Sequence, residues 1–285
     1  MAGWKIGIIG GSGLYAIDAL EGAEWRTVAS PWGKPSDALL CGRIGTVELA
    51  FLPRHGRGHR VSPSELNNRA NIDVLKRAGC TDIVAISAVG SLREELAPGR
   101  FVVVDQFVDR TFARAKSFFG TGMVAHVSMA DPVCPRLSAL VADAAGEATR
   151  GGTYLAMEGP QFSTRAESEL YRSWGCSVIG MTAMPEAKLA REAELPYALV
   201  GMVTDYDCWR VDEAPVEVGN ILKVMHDNAA RARALVVALA QSLPAERAPS
   251  PIDTCLDFAL ITAPEARDPA LLAKLDAVAG RVLPA

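Results

Sequence analysis

The chain has 285 residues, of which 49% are apolar, 6% aromatic and 22% charged, which excludes a disordered, collagen-like or low-complexity protein. Lys and Arg total 29 against 33 Asp and Glu, so the formal charge of −4 gives no global attraction to nucleic acid or anionic lipid, and any anion site is local. Folding at this length removes roughly three quarters of the unfolded surface, enough for one large core, and a single domain over 1–285 is expected. No apolar run reaches the roughly 18 to 20 residues that cross a bilayer. MAGWKIGIIGGSG enters a short strand without a cleavable signal pattern, so a cytoplasmic location without a membrane partner is expected. Cys41, Cys80, Cys134, Cys176, Cys208 and Cys255 are far apart, contain no CxxC pair, and read as reduced, mostly buried thiols.

In chain order, short β-branched runs bounded by glycine or turn residues predict core strands over 5–9 and 46–52. A helix is expected over 63–78, with Ser62 as cap, Pro63 in the first turn, Glu65 completing a capping box and Gly79 ending it in a left-handed conformation. Strands follow over 82–87 and 101–105. Thr164, with Glu167 three residues on, opens an amphipathic helix to about Trp174, and Gly175 precedes a strand over 177–181. The last strand is expected over 197–204, followed by a long Ala- and Leu-rich helix over 217–243. PAERAPSPIDT reads as a loop with no assigned role, and a terminal helix over 269–282 completes a helical extension from about 244. Consecutive strand and helix units favour an α/β fold with helices on the faces of a sheet.

Four groups of segments carry candidate chemistry. In IGIIGGSGLY, glycines at a strand's carboxyl end let backbone N–H groups, with the Ser12 hydroxyl, turn toward an anion such as phosphate. A tight turn without ligand is the plain alternative. Gly11, Gly13 and Ala16 also satisfy a GxGxxA dinucleotide fingerprint, but EGAEWRTVASPWGKPSDALL lacks the convincing second strand ending in an acid. PRHGRGHR gathers Arg54, His55, Arg57, His59 and Arg60 directly after a strand, where α/β proteins place ligand loops, and Arg54 offers bidentate donors to phosphate oxygens. A solvated turn is the alternative there. His55 and His59 have a zinc-like spacing, but Gly56 and Gly58 argue against a helix, and no metal is expected.

SAVGSLREE, AMEGPQFSTRAE and GMTAMPEA each join an apolar strand to hydroxyl residues, so several hydroxyls converge at one sheet edge unless Ser163, Thr164 and Thr182 serve as helix caps. In VGMVTDYDCW a strand ends in Asp205 and Asp207, and residues two apart on a strand point to one side, so both carboxylates can face one ligand. Burial that raises a carboxyl's pKa lets it donate or share a proton with a departing base. An exposed DYD turn capping the next helix is the alternative.

In this order GIIGGSGLY, RHG, NNRANIDVLKRAGC, SAVGSLREE, DQFVDRT, EGPQFSTRAES, MTAMPE and TDYDCW closely resemble the methylthioadenosine phosphorylase family of the trimeric purine nucleoside phosphorylase superfamily. The resemblance spans most of the chain. It implies a single α/β domain whose central mixed, partly barrel-like β-sheet is flanked by α-helices. It also implies phosphorolysis of 5′-methylthioadenosine to adenine and 5-methylthioribose 1-phosphate, a pentosyl transfer in purine and methionine salvage. Inorganic phosphate is then a co-substrate, and neither metal nor organic cofactor is implied.

By the same resemblance Ser12, Arg54, His55, Ser87 and Thr182 surround phosphate and Met181 packs on the ribose. Asp205 is the catalytic residue at purine N7, Asp207 accepts from the exocyclic amine, and Phe162 and Ser163 line the base pocket. His126 reaches a neighbouring subunit's pocket, implying a homotrimer or a hexamer. Val218, Ile221 and Leu222 wall the methylthio group, with Leu271 and Leu272 closing the same pocket. A carboxylate that accepts from a 6-amino group would meet an acceptor oxygen in hypoxanthine, so adenine is favoured. Gly180 stands where animal relatives carry Asn, removing a side chain near ribose and base, whereas Ser12 and Ser87 replace Thr and keep the donor. The alternatives are a phosphorylase of methylthioinosine or other 6-oxopurine nucleosides, a hydrolytic nucleosidase, and a non-catalytic nucleoside-binding protein.

Overall fold

The computed structural model describes residues 3–11, 13, 14, 16–210 and 218–283, with the backbone alone for 218–223, 225 and 226. Lys5–Gly10 (β1) is apolar almost without interruption because it is buried on both faces. Glu21–Arg26 (β2) pairs antiparallel with Leu39–Ile44 (β3), β3 pairs antiparallel with Val47–Pro53 (β4), and β4 lies parallel beside β1. Every residue of β2 is exposed at this outer edge of the sheet, so no alternating apolar pattern marks it in the sequence.

The expected helix over 63–78 is divided. Pro63–Glu65 is a single 3-10 turn and the α-helix is Asn68–Arg77 (α1). Ser62 makes no capping bond; its hydroxyl donates to the Glu65 carboxylate at 2.7 Å, and Leu66 is extended. Asn67 is the cap instead, because its Oδ1 accepts from Ala70 N–H at 3.1 Å while its Nδ2 donates to Trp32 O at 2.9 Å. Gly79 takes the left-handed conformation expected of it, with φ 82°.

Asp82–Ser91 (β5) follows, then Phe101–Val103 (β6), Gln106–Asp109 (β7), the helix Pro135–Ala145 (α2), Thr149–Arg150 (β8) and Thr153–Ala156 (β9). Arg165–Ser173 (α3), Val178–Gly180 (β10), Ala183–Glu192 (α4), Tyr197–Asp205 (β11) and Val218–Ser242 (α5) complete the main body. The Thr164–Glu167 capping box that opens α3 is formed in both directions. β5 is the centre of the sheet: β1 runs parallel to its first half, β10 pairs antiparallel at its end, and β11 runs parallel along the other edge. The sheet forks there, through β10, β9 and β7 on one arm and β11, β6 and β8 on the other.

Side-chain alternation splits the core between the two faces. Ile6, Ile8, Val84 and Val200 pack with Leu137 of α2 and Leu235 of α5, whereas Ile9, Ala85 and Leu199 pack with Ile72 of α1 and Ala187 of α4. All six cysteines are free thiols, four of them buried. Among the described residues no helix is long and apolar enough to cross a membrane.

The C-terminal stretch is less helical than expected. Of the described residues in this stretch only Pro269–Lys274 (α6) are α-helical, and the chain continues in turns past Leu275, with Leu275, Val278 and Ala279 buried against the core. Leu271 and Leu272 pack on that core too. PAERAPSPIDT holds an anchor: Arg247 bonds Asp82, the Asp253 carboxylate at 2.7 and 2.9 Å, and Thr81 O at 3.2 Å.

Candidate active site

β1, β4, β5 and β11 are mutually parallel along their neighbouring pairs, so their carboxyl ends open on one side of the sheet, where α/β folds bind ligands. A cavity of about 440 Å³ lies there. Its polar ends differ in chemistry.

The first end is built by the loops after β4 and β10 and by the middle of β5. In the antiparallel β5–β10 register Val178 faces Ser91 and Ile179 faces Gly90, and continuing that register brings Thr182 opposite Ser87. Their hydroxyls lie 3.1 Å apart, and Ser87 Oγ also donates to Ala88 O at 3.1 Å. Thr182 precedes α4 without making a capping bond, so its hydroxyl serves this pair and the cavity.

Arg54 follows β4 directly and is 1% exposed. Its Nε and Nη2 donate to the Glu186 carboxylate at 3.0 and 3.1 Å, its Nη1 to Ile86 O at 2.9 Å, and its Nη2 to Ile9 O at 3.4 Å. The fork expected to face an anion is therefore turned onto Glu186. Four of its five donors are engaged, leaving one Nη1 proton for a ligand. Burial alone would drive the charge off Arg54, but Glu186 outweighs it and holds the guanidinium above its usual range.

His55 lies beside it, with Nδ1 at 2.9 Å from Val61 O; a carbonyl only accepts, so Nδ1 carries the proton and Nε2 is the acceptor in the neutral ring. Burial, then the Arg54 charge, pushes His55 down to about 4. His59 stacks on it with ring centroids 4.3 Å apart and also lines the cavity.

The opposite end is acidic. β11 stops at Asp205, and Asp207 has φ 51°, so the two carboxyls reach one cavity through a turn and not through strand alternation. Thr204 Oγ1 donates to Asp205 Oδ2 at 2.6 Å and Asp207 N–H donates to Asp205 Oδ1 at 2.8 Å. Gly90 leaves room for this pair: a Cβ there would lie 3.0 Å from Asp205 Oδ1. Asp207 Oδ2 is buried without a hydrogen-bond partner among the described residues. Burial and, less, the Asp205 charge push Asp207 up to about 6, while Ser168, near but outside bonding geometry, moderates the rise.

Between the ends, Met181, Met157 and Ile179 line an apolar wall, and Phe162, 47% exposed, stands at the mouth. Arg114 ties this wall together by donating to Glu158 Oε1 at 2.9 Å, Glu158 O at 2.6 Å, Met181 O at 2.6 Å and Met184 O at 2.7 Å.

The cavity thus gathers Arg54, His55, Ser87, Met181, Thr182, Phe162, Asp205 and Asp207. Ser163 is not among its lining residues; its hydroxyl turns to Met157 Sδ at 3.6 Å. His126 lines a separate surface depression with Lys116, Val124 and Glu192. Leu271 and Leu272 do not line the cavity of their own chain. Ser12 lies outside the described residues, as do the side chains of Val218, Ile221 and Leu222. Among the described residues no group of three or more His, Cys, Asp or Glu is arranged to hold a metal.

A phosphorylase superfamily model matches residues 5–241. The chain belongs to this superfamily. Among phosphorylase relatives, the S-methyl-5′-thioadenosine phosphorylase of Cereibacter sphaeroides is 63% identical, covering 98% of each chain. That of Geobacter sulfurreducens is 50% identical, covering 96% of this chain and 98% of its own. Of solved phosphorylases, a methylthioadenosine phosphorylase from an Antarctic soil metagenomic library superposes with a TM-score of 0.92 at 43% identity over 100% of both chains. The Schistosoma mansoni methylthioadenosine phosphorylase in complex with adenine gives 0.81 at 39% identity over 85% of this chain and 93% of that one.

Glu186, Arg114, Glu158 and Tyr154 belong to this phosphorylase site's framework but were not singled out from the sequence. Glu186 stands in MTAMPEA, where its only signal is an acid among apolar residues in a candidate ligand loop. Arg114 reaches Glu158, Met181 and Met184 across 44 to 70 residues of chain, and Tyr154 reaches Thr182 across 28, so folding alone brings them together.

Proposed function

We propose that the protein catalyses phosphorolysis of 5′-methylthioadenosine, yielding adenine and 5-methylthioribose 1-phosphate. The observation that carries this reading is a single cavity with hydroxyls and a buried guanidinium at one end and two carboxyls, one with an orphaned oxygen, at the other.

Phosphate is assigned to the end formed by Arg54, His55, Ser87 and Thr182, with Ser12 completing it. Because His55 is neutral with Nδ1 protonated, its Nε2 accepts from the hydroxyl of a monoprotonated phosphate, while the Ser87 and Thr182 hydroxyls, turning from Ala88 O and from each other, join the remaining Arg54 proton in donating to the other oxygens. A phosphate oxygen attacks the anomeric carbon; the new C–O bond forms as the glycosidic C–N bond breaks, and its electron pair passes to the purine. The phosphate charge stabilises the cationic sugar of the transition state. Asp205 shares a proton with purine N7 as negative charge accumulates there, and Asp207 Oδ2 accepts from the 6-amino group. Met181 holds the ribose and Phe162 stacks on the base.

No metal or organic cofactor takes part in this scheme. His126 is assigned to the pocket of a neighbouring subunit in a homotrimer, with Val218 and Leu222 facing the methylthio group. In support, Val124, Phe258 and Ile261 around His126 are exposed apolar side chains, Phe258 at 99%. Light scattering of the purified protein tests the trimer.

One observation favours a second reading. Asp207 is pushed up to about 6, and its protonated form donates to a 6-oxo group, so methylthioinosine is the competing substrate in mildly acidic solution. The decisive experiment is base release from adenine and hypoxanthine nucleosides, with and without phosphate. Release without phosphate would mean a nucleosidase, and tight binding without release a sensor.

A further inference from the structure

Gly180 ends β10 at the cavity wall, immediately before Met181 and Thr182. A Cβ at this position would lie 2.1 Å from Tyr154 Oη and 2.7 Å from its Cζ, far inside contact distance. Gly180 is not among the glycines with positive φ, so its backbone admits any residue. The phenol alone excludes a side chain.

Tyr154 stands on β9 opposite Val178 and is fully buried. Its side chain leans along the partner strand past Gly180, and its ring meets Phe107 of β7 at 5.8 Å between centroids. At the far end Oη accepts from Thr182 N–H at 3.4 Å. Thr182 carries the hydroxyl that lies 3.1 Å from Ser87 Oγ. A line of contacts therefore runs from the arm of the sheet, through Phe107 and Tyr154, to the hydroxyl pair. Arg114 holds the neighbouring Met181 carbonyl, so Tyr154 governs the one backbone N–H at this corner that leads directly to the Thr182 hydroxyl.

We infer that Tyr154 is a positioning residue for the phosphate end, acting through Thr182, and that Tyr154 and Gly180 form one complementary unit. The tyrosine fills the volume that a side chain at 180 would take and returns a hydrogen-bond acceptor to the strand end. The absent side chain at Gly180 is thus compensated within the wall, and its effect falls on phosphate and not on the base. The inference rests on the assignment of Ser87 and Thr182 to phosphate.

The test measures KM for phosphate and for methylthioadenosine separately, together with the melting temperature, in Tyr154→Phe, Gly180→Ala and the double variant Tyr154→Leu with Gly180→Ala. Tyr154→Phe keeps the ring and removes the acceptor, so its phosphate KM rises by about three- to tenfold, the worth of one hydrogen bond, with the nucleoside KM unchanged. Gly180→Ala raises the phosphate KM further, and the double variant brings it back toward the Tyr154→Phe value because the clash is gone. An unchanged phosphate KM in Tyr154→Phe overturns the inference. So does a joint rise of both KM values with a lower melting temperature, which marks a purely structural role. If the parent protein releases base without phosphate, the phosphorolytic reading itself has failed and the inference falls with it.

Discussion

Arg54 and Glu186 meet through two parallel hydrogen bonds of 3.0 and 3.1 Å, with side-chain exposures of only 2% and 1%. Tyr197 Oη adds a third bond to the same carboxylate at 2.8 Å, and burial together with Glu186 pushes that phenol well above its usual range. The cation at the phosphate end is thus neutralised from behind and presented edge-on, as a fixed donor and not as a flexible clamp.

Removing one member of such a pair leaves the other buried and uncompensated. Glu186→Ala is expected to lower the unfolding free energy by about 3–5 kcal/mol. Urea denaturation measures it, and a loss below about 1 kcal/mol would mean that the pair is not sealed from water. Glu186→Gln keeps the shape and one acceptor, so it retains more stability while raising the phosphate KM as the guanidinium loses its fixed aim.

Asp207 gives the site a pH dependence. Its carboxyl holds the proton to about 6 in the folded chain against an ordinary value of 3.8. The unfolded chain therefore ionises first, and this group removes stability as pH rises between those values, after which the loss levels off. Asp207→Asn abolishes that slope, so the variant is expected to be at least as stable as the parent at neutral pH. For activity the sign reverses, since accepting from a 6-amino group needs the ionised form. At saturating phosphate, kcat/KM for methylthioadenosine should climb through about pH 6, whereas that for methylthioinosine should not. In Asp207→Asn the climb disappears and the preference for the amino substrate falls by about 10²-fold. A rise with the same midpoint in Asp207→Asn would assign the titration to another group.

Asp205 interacts most strongly with the purine as charge develops on it. Asp205→Asn should lower kcat by about 10²–10⁴-fold with a much smaller change in nucleoside KM. Because Asp205 Oδ1 accepts from Asp207 N–H and Asn keeps an amide oxygen, the turn survives the change. Steady-state rates at several nucleoside concentrations separate the two parameters, and unchanged turnover removes Asp205 from the chemistry.

What was legible beforehand follows from what each residue depends on. Strands such as β1, β5 and β11 are buried on both faces and announce themselves as apolar runs, and the Thr164–Glu167 cap is a purely local signal. β2 was invisible because an edge strand exposed at every residue needs no apolar alternation. Strand geometry predicts that Asp205 and Asp207 point to one side, yet the strand ends at Asp205 and a left-handed turn brings them together. PRHGRGHR marks Arg54 as a bidentate donor to an anion, but the partner that takes its fork, Glu186, lies 132 residues away, beyond any local pattern. Tyr154 had no signal at all, since its role depends on the missing side chain of Gly180 on an adjacent strand.

Arg247 ties the C-terminal extension to the start of β5. Asp82 opens β5, is 0% exposed, and meets both Arg136 and Arg247; burial still keeps its pKa raised despite both partners. Arg247 also holds Asp253, whose capping box with Ser250 shapes the turn Pro251–Thr254. Removing Arg247 leaves Asp82 to ionise with Arg136 alone, so its carboxyl rises further. The cost of Arg247→Ala should therefore be smaller in acid, as Asp82 takes up its proton, and grow with pH toward about 3–5 kcal/mol near neutrality. Urea denaturation at about pH 4 and about pH 8 reads the difference, and Asp82→Asn in the same chain should recover part of the loss because no buried charge remains to be paired. Equal costs at the two pH values would show that Arg247 acts through packing of the extension and not through Asp82.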